Sequence, residues 1–207
     1  MEDRKKTNDS QRIHTRLRKN FNLITNITSI SIVLAIILIV FTSVQFNHSL
    51  KSYGFIQGDI GKAMTVFADS RSALRAVIGY LDAGSISEQQ EIYFDKRDSF
   101  TTYFNSITEQ CNYSEAKKIC DNISSVIDDY WTLSDEIIRQ GATSDVNASN
   151  NAQRLEMNKL TPEYDTIYGY MKQLMDCYVT KGNAYKRQLN IIEFVCIAVI
   201  LDRKSVV

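Results

Sequence analysis

Apolar residues recur at alternating spacings of three and four along residues 47–190, which is the pattern of amphipathic helices. The pattern occurs four times, and its second run is the least regular. The predicted core positions are Tyr53, Ile56, Ile60, Ala63, Phe67, Ser70, Leu74, Val77 and Leu81 in the first run; Tyr93, Phe100, Tyr103 and Ile107 in the second; Ala116, Ile119, Ile123, Val126, Tyr130, Leu133 and Ile137 in the third; and Met157, Leu160, Tyr164, Ile167, Met171, Leu174, Tyr178 and Tyr185 in the fourth. Four such stripes predict an all-α fold, an antiparallel up-down-up-down four-helix bundle.

Helix boundaries are predicted where the apolar pattern stops. The segment "DAGSISEQQ" ends the first helix, and Ser87 has capping-box spacing to Gln90 for the start of the second. Residues 141–151, "GATSDVNASNN", are rich in turn formers and predict a polar loop. Thr161 before Pro162 suits an N-cap and a first helical position, so the fourth helix is expected to restart or bend there.

Two strongly apolar runs flank the predicted bundle. Residues 20–50 contain no Asp, Glu, Lys or Arg, and about 22 apolar residues at ~1.5 Å each are enough to cross a bilayer core. A cleaved signal peptide is the alternative, although its apolar core would be shorter. The second run, "IIEFVCIAVIL" at residues 191–201, is too short to cross, and we interpret it as the start of a truncated transmembrane helix.

Residues 202–207, "DRKSVV", back-translate to a sequence that resembles a common sequencing adapter, so we expect an artefact there; a genuine short tail is the alternative. The predicted organisation has five parts. They are a cytoplasmic tail (1–20), a transmembrane helix (21–46), an extracytoplasmic four-helix-bundle domain (47–190), the start of a second transmembrane helix (191–201) and the artefact (202–207).

Charge sets the expected orientation in the membrane. Residues 1–19 hold seven Lys and Arg against three Asp and Glu, whereas residues 45–190 hold fifteen against nineteen. A basic segment beside a membrane span lies in the cytoplasm, which places the predicted bundle outside. A basic tail so close to a span is not expected to bind nucleic acid.

The chemistry-bearing residues do not predict an enzyme. The two histidines, His14 and His48, lie in the tail and beside the membrane, so they form neither a Ser-His-Asp arrangement nor a metal site. No catalytic residue, metal ligand or cofactor is therefore predicted. Gly54, Gly58 and Gly61 are expected to be positions of close helix packing.

Four cysteines raise the question of a disulfide. Cys111 and Cys120 flank the turn between the second and third helices, outside the cytoplasm, where a disulfide is permitted. Cys120 lies more than a helical turn from the tip, which favours simple burial instead, and both interpretations stay open. Cys177 and Cys196 are expected to be packing residues.

Two arginines, Arg71 and Arg75, lie one turn apart in the segment "SRSALR". With Phe67 and Leu74 in the core, they fall on the flank of the first helix and are expected to face a partner copy or solvent. Two guanidiniums on one face can hold a carboxylate by bidentate hydrogen bonds. A solvated face, or a local pair of Asp69 with Arg71, is the alternative.

Three segments carry a resemblance to a known family: "SYGFIQGDIGKAM", "FADSRSALRAVIGY" and "LTPEYDTIYGYMKQLMDCYVTKGNAY". They resemble the first and fourth helices of methyl-accepting chemotaxis proteins with a four-helix-bundle ligand-binding domain, and the order of predicted elements is similar over nearly the whole chain. The resemblance implies a homodimeric receptor in the bacterial cytoplasmic (inner) membrane. Such a receptor binds a small extracellular ligand, directly or through a ligand-loaded binding protein, and controls a chemotaxis kinase and adaptor through cytoplasmic parts.

The resemblance also implies ligand-binding residues. In the family's aspartate and serine receptors, a segment similar to "SRSALR" holds the ligand's carboxylate across the dimer interface, which implies Arg71 and Arg75. A further arginine of those receptors is replaced by Val66. Their polar residue and threonine beside a proline are similar to Thr161 and Glu163, and Thr161 is the third implied contact.

Two other functions fit the same sequence. Bundles of this kind also serve as input regions of sensor histidine kinases and cyclases. A structural coiled-coil membrane protein without a ligand is the alternative from a different class.

Overall fold

In the computed structural model, the backbone is described for residues 2–202 and the side chains for residues 14–198. The described backbone is helical, with short turns and no strand. The all-α prediction is therefore confirmed for this part of the chain. Residues 203–207 of the predicted artefact, and the side chains of the basic residues before His14, lie outside the described part.

Six α-helices and two π-helical turns follow one another along the described backbone. They are α1 (Glu2–Ser49), a π turn (Leu50–Gly54), α2 (Phe55–Gly79), α3 (Ala83–Gln110), α4 (Ser114–Gly141), α5 (Val146–Leu155), a second π turn (Glu156–Leu160) and α6 (Thr161–Asp202). By residue contacts the chain divides into two units, Met1–His48 with Lys186–Val207, and Ser49–Tyr185.

The first unit contains the apolar run that the sequence predicts to be a membrane span. Within the described residues, the helical segment His14–Gly79 runs without a break through α1, the first π turn and α2. It includes a stretch that by length and composition could cross a membrane, and none of that stretch is buried. Large apolar side chains such as Ile36, Ile39 and Val40 are more than half exposed. Exposure of this kind suits a helix that contacts lipid rather than water.

The second unit has one hydrophobic core, and Phe67 of α2 lies near its middle. This side chain is fully buried, and its ring centroid lies 5.1 Å from that of Phe100 in α3, 5.0 Å from Tyr130 in α4 and 4.9 Å from Tyr164 in α6. Aromatic contacts at these distances stabilise beyond their buried area. Phe67 therefore contacts aromatic side chains from three other helices within one core.

Two helix starts differ from the predicted ones. Asp82, not Ser87, caps α3, because its carboxylate accepts a hydrogen bond of 2.8 Å from the Ser85 N–H. The expected polar loop is mostly helix: α5 begins at Val146, where the Asp145 carboxylate accepts a hydrogen bond from the Asn147 N–H. A good N-cap and a few small residues facing the core offset the weak helix propensity of the asparagines.

The closest helix approach at a glycine is not where the sequence predicts it. A Cβ on Gly58 would meet no atom within 4 Å, whereas a Cβ on Gly141 would lie 2.6 Å from both Ala152 Cβ and Ile78 Cγ2. The end of α4 thus packs against α2 and α5 at a distance that only glycine allows. Gly58 is an exposed helix position instead.

Candidate functional site

The three residues implied as ligand contacts meet at one place, around a carboxylate that the sequence does not single out. Arg71 and Arg75 lie one turn apart on α2, Thr161 is the first residue of α6, and Glu156 is the first residue of the second π turn. Glu156 is 2% exposed. We call these four residues the arginine cluster.

One oxygen of Glu156 accepts from three side chains. Its Oε1 lies 3.2 Å from Arg71 Nε, 2.9 Å from Arg75 Nε and 3.2 Å from Thr161 Oγ1. A further hydrogen bond of 2.7 Å runs from Arg71 Nη2 to Thr161 Oγ1. Hydrogen bonds between ionised groups are stronger than neutral ones, so these contacts tie the start of α6 to α2.

The net charge of the arginine cluster is positive. Two guanidiniums and one carboxylate leave a single uncompensated positive charge. The exposed fractions of the side chains are 13% for Arg71, 51% for Arg75 and 3% for Glu156. The cluster is thus closed on the side of Glu156 and open to solvent at Arg75, and its chemistry suits an anion.

Tyr164 connects the arginine cluster to the core. The Arg71 guanidinium carbon lies 4.1 Å from the centroid of the Tyr164 ring, and that ring is stacked on Phe67 with an interplanar angle of 7°. Burial raises the pKa of Tyr164, with a smaller effect of Tyr168 in the same direction, and the Arg71 charge opposes both. Tyr164 is therefore a neutral ring under a cation, a favourable cation–π arrangement.

The position of Arg71 differs from the predicted one. Its side chain is largely buried and pairs with Glu156 rather than pointing away from the core, and its described ion pair is not with Asp69. Only Arg75 is half exposed, as expected for a flank. Arg71 turns inward because the buried Glu156 carboxylate attracts its guanidinium. The carboxylate also replaces the water that an exposed arginine would keep.

Glu156 is the residue that the sequence pattern leaves out. The apolar stripe places Met157 in the core, yet Met157 is 66% exposed and Glu156 occupies the core-facing position. The signal was present: Glu156 is four residues before Leu160 and four after Ala152, both fully buried. A glutamate on the buried stripe requires a cationic partner, and two arginines were available.

Glu163, the other acidic candidate, forms none of the ion pairs described for the two arginines. Its Oε2 is buried without a described hydrogen-bond partner. Burial, and to a smaller extent the Asp129 carboxylate, raises the pKa of Glu163. Within the described residues, the carboxylate that meets the arginines is Glu156.

The cysteine pair at the α3–α4 turn is buried. Cys111 and Cys120 are free thiols whose sulfurs lie 3.6 Å apart, and the Tyr178 hydroxyl lies 3.4 Å from Cys111 Sγ. Burial, followed by the neighbouring Cys111, raises the pKa of the Cys120 thiol to about 12. Simple burial describes this arrangement. The disulfide stays a prediction, because the two sulfurs are close to each other but not bonded.

The residues that the structure describes contain no group of three or more His, Cys, Asp or Glu side chains that could hold a metal ion. No known family model matches the chain, and no curated protein or solved structure is detectably similar to it. The likeness to chemoreceptors therefore remains a prediction from the sequence.

Proposed function

We propose that this chain is the sensor region of a bacterial membrane chemoreceptor that binds a small carboxylate-containing ligand at the arginine cluster. The observation that carries the proposal is the meeting of Arg71 and Arg75 with Thr161. These are the residues that the resemblance implies as ligand contacts, and the hydrogen-bonded pair Arg71 and Thr161 lies 90 residues apart in the chain.

Charge supports a carboxylate as the ligand. The arginine cluster keeps one positive charge after Glu156 is counted, and the half-exposed Arg75 offers guanidinium nitrogens to solvent. A planar guanidinium matches a carboxylate with two parallel hydrogen bonds, which gives geometric selectivity over a spherical anion.

The proposed assembly is an antiparallel up-down-up-down four-helix bundle that works as a homodimer outside the cytoplasm. The apolar run of α1 anchors it in the bilayer, with the basic N-terminus inside. Because α6 begins in the arginine cluster and includes the second apolar run, a ligand that favours one position of α6 would bias the signal. The receiving partners would be a chemotaxis kinase and its adaptor.

A ligand screen tests the binding part of this proposal. The full chain in detergent micelles is heated with a panel of mono- and dicarboxylates and with chloride at the same ionic strength. We expect a rise of several degrees in Tm with one class of carboxylate, because a ligand that binds only the folded state stabilises it. Arg75→Ala should remove the shift and Lys62→Ala, an exposed cation on the same helix, should keep it.

A fusion tests the signalling part. Residues 1–201 are joined to the linker and methyl-accepting hairpin of a chemoreceptor, and kinase activity is measured in membranes with the carboxylate that shifts Tm. A change in kinase activity that Arg75→Ala abolishes supports the proposal. If no carboxylate shifts Tm and none changes kinase activity, the ligand-free structural protein replaces it. A histidine kinase or cyclase domain encoded after residue 201 would replace the chemotaxis output.

A further inference from the structure

We propose that Glu156 is an internal competitor for the arginine cluster, and that a ligand carboxylate binds by displacing it. This inference rests on the proposed function in one respect only, namely that the ligand carries a carboxylate that Arg71 and Arg75 recognise. It goes further because it states that Glu156 occupies the site in the unliganded protein. The same carboxylate also connects ligand binding to the π turn that precedes α6.

The hydrogen bonds of Arg71 support displacement over simple addition. A guanidinium holds a carboxylate through two neighbouring nitrogens. In Arg71, Nε donates to Glu156 Oε1 and Nη2 donates to Thr161 Oγ1. Glu156 and Thr161 together occupy the edge of the guanidinium that Nε and Nη2 form. A ligand carboxylate that binds this edge with two parallel hydrogen bonds therefore requires that the contacts around Glu156 open first.

Arg75 gives the ligand a first point of contact. Its Nε is engaged by Glu156 at 2.9 Å, but half of its side chain is exposed, so an anion can approach it from solvent. A ligand carboxylate that binds Arg75 weakens the attraction between Arg75 and Glu156. The ligand and Glu156 then compete for the same two cations, and each weakens the binding of the other.

The backbone at Glu156 is suited to move. Glu156–Leu160 is a π turn, an element that is rare and often occurs at functional positions. Pro162 follows it closely and has no N–H to donate to the Asn158 carbonyl, which weakens the helix at this point. Glu156 holds this turn to α2 through its ion pairs with Arg71 and Arg75. Its release would therefore loosen the chain immediately before α6 begins at Thr161.

The competition has a measurable consequence for affinity. If Glu156 holds the arginines in most molecules, the apparent dissociation constant of a ligand is raised by the inverse of the open fraction. Removal of the internal carboxylate should therefore tighten the binding of an external one. We expect about ten-fold or more for Glu156→Gln, which keeps the side-chain volume and removes the charge.

Chemical rescue by acetate tests the inference directly. The Tm of the full chain in detergent micelles is measured for the wild type, Glu156→Ala and Glu156→Gln, with sodium acetate against sodium chloride at equal ionic strength. We expect Glu156→Ala to lower Tm by several degrees and acetate to restore at least half of the loss. Chloride should restore none of it, and the wild type should respond least to acetate. Glu163→Ala, which also loses a partly buried carboxyl on α6, is the matched control and should not be rescued.

Each outcome decides the inference. If neither Glu156 variant gains more from acetate than the wild type does, the displacement model is wrong. If Glu156→Ala does not fold, Glu156→Gln gives the same comparison. A carboxylate that binds the wild type and Glu156→Gln with equal affinity would overturn displacement while leaving the proposed sensor function intact. Rescue by acetate in a protein whose fusion never changes kinase activity would support displacement and reject the sensor function.

Discussion

Gly141 and Ile78 approach each other so closely that a Cβ on the glycine would lie 2.6 Å from Ile78 Cγ2. The contact joins the last residue of α4 to the end of α2. The Ile78 carbonyl also accepts a hydrogen bond of 2.5 Å from the Ser149 hydroxyl of α5. Three helices are thus held together at the residues where two of them end.

Gly141→Ala is expected to destabilise the protein by about 1–3 kcal/mol, the usual effect of overpacking a core. Gly58→Ala is the matched control, because its Cβ would meet nothing within 4 Å, and it should stabilise the helix by about 0.5–1 kcal/mol. Urea unfolding of the full chain in detergent, followed by circular dichroism, measures both. Equal effects of the two substitutions would contradict the close approach at Gly141.

Arg71→Ala should destabilise the protein by about 3 kcal/mol, because a carboxylate that is 3% exposed loses one of its two cationic partners. Lys62→Ala, whose side chain is 58% exposed in its pair with Asp59, should change stability by no more than about 0.5 kcal/mol. Both values come from urea unfolding midpoints.

A double substitution separates the charge from the packing. Arg71→Ala combined with Glu156→Gln should cost less than the sum of the two single changes, since the pair then leaves no unpaired buried charge. Strict additivity would mean that the ion pair contributes nothing and that Arg71 acts through its contacts with Thr161 and Tyr164.

Glu163→Gln is expected to raise Tm near neutral pH and to have little effect at acidic pH. Burial raises the pKa of Glu163 in the folded protein, so the unfolded chain releases its proton first as pH rises. Stability is consequently lost as pH rises from the ordinary pKa of a glutamate through the raised one, and the loss persists at neutral pH. Glutamine does not ionise and removes that loss.

Melting curves at about pH 7.5 and about pH 4.5 measure the effect, because the second value lies near the ordinary pKa of a glutamate. Glu109→Gln, at an exposed position of α3, is the control. A gain in Tm for Glu163→Gln that is as large at the acidic pH as at the neutral one would refute the electrostatic explanation.

Cys111 and Cys120 are expected to form a disulfide during refolding in oxidised glutathione, and not when the reagent is added to the folded protein. Their sulfurs need to approach by about 1.5 Å, which a small adjustment allows. The raised pKa of Cys120 and its burial leave little reactive thiolate in the folded state. Closing so short a loop should stabilise by about 2–3 kcal/mol.

Peptide mapping by mass spectrometry identifies the linked cysteines, and urea unfolding measures the gain. Cys120→Ser is the control and should lose both the link and the added stability. A bridge that includes Cys177 in the wild type would contradict this pairing.

The core of the second unit follows from local spacing, which explains why it could be predicted. Phe67 and Leu74 lie seven residues apart on an apolar stripe, and both are fully buried. The residues that predict the burial of Phe67 and Leu74 all lie within two turns of the same helix. The aromatic contacts among the helices then follow from burying all four stripes together.

The arginine cluster was predicted only in part, and the reason is sequence separation. The spacing of Arg71 and Arg75 places them on one face, but the direction of Arg71 depends on Glu156, 85 residues away. No periodicity within α2 contains that information. Helix α5 is a second example: its asparagines favour a loop locally, while Ser149 and Ala152 find buried positions once α2 and α4 are in place.

The second π turn determines the angular position of α6. Ala152, Glu156, Leu160 and Tyr164 follow one another at spacings of four, which an ordinary helix of 3.6 residues per turn would gradually rotate off the buried face. The widened turn absorbs this drift. Deletion of one residue within Glu156–Leu160 would therefore yield a regular helix that keeps Ala152 and Tyr164 on nearly the same face, because eleven residues make about three turns. An insertion at this point would instead rotate everything after it by about 100°, and would separate Thr161 from the arginines without changing any of these residues.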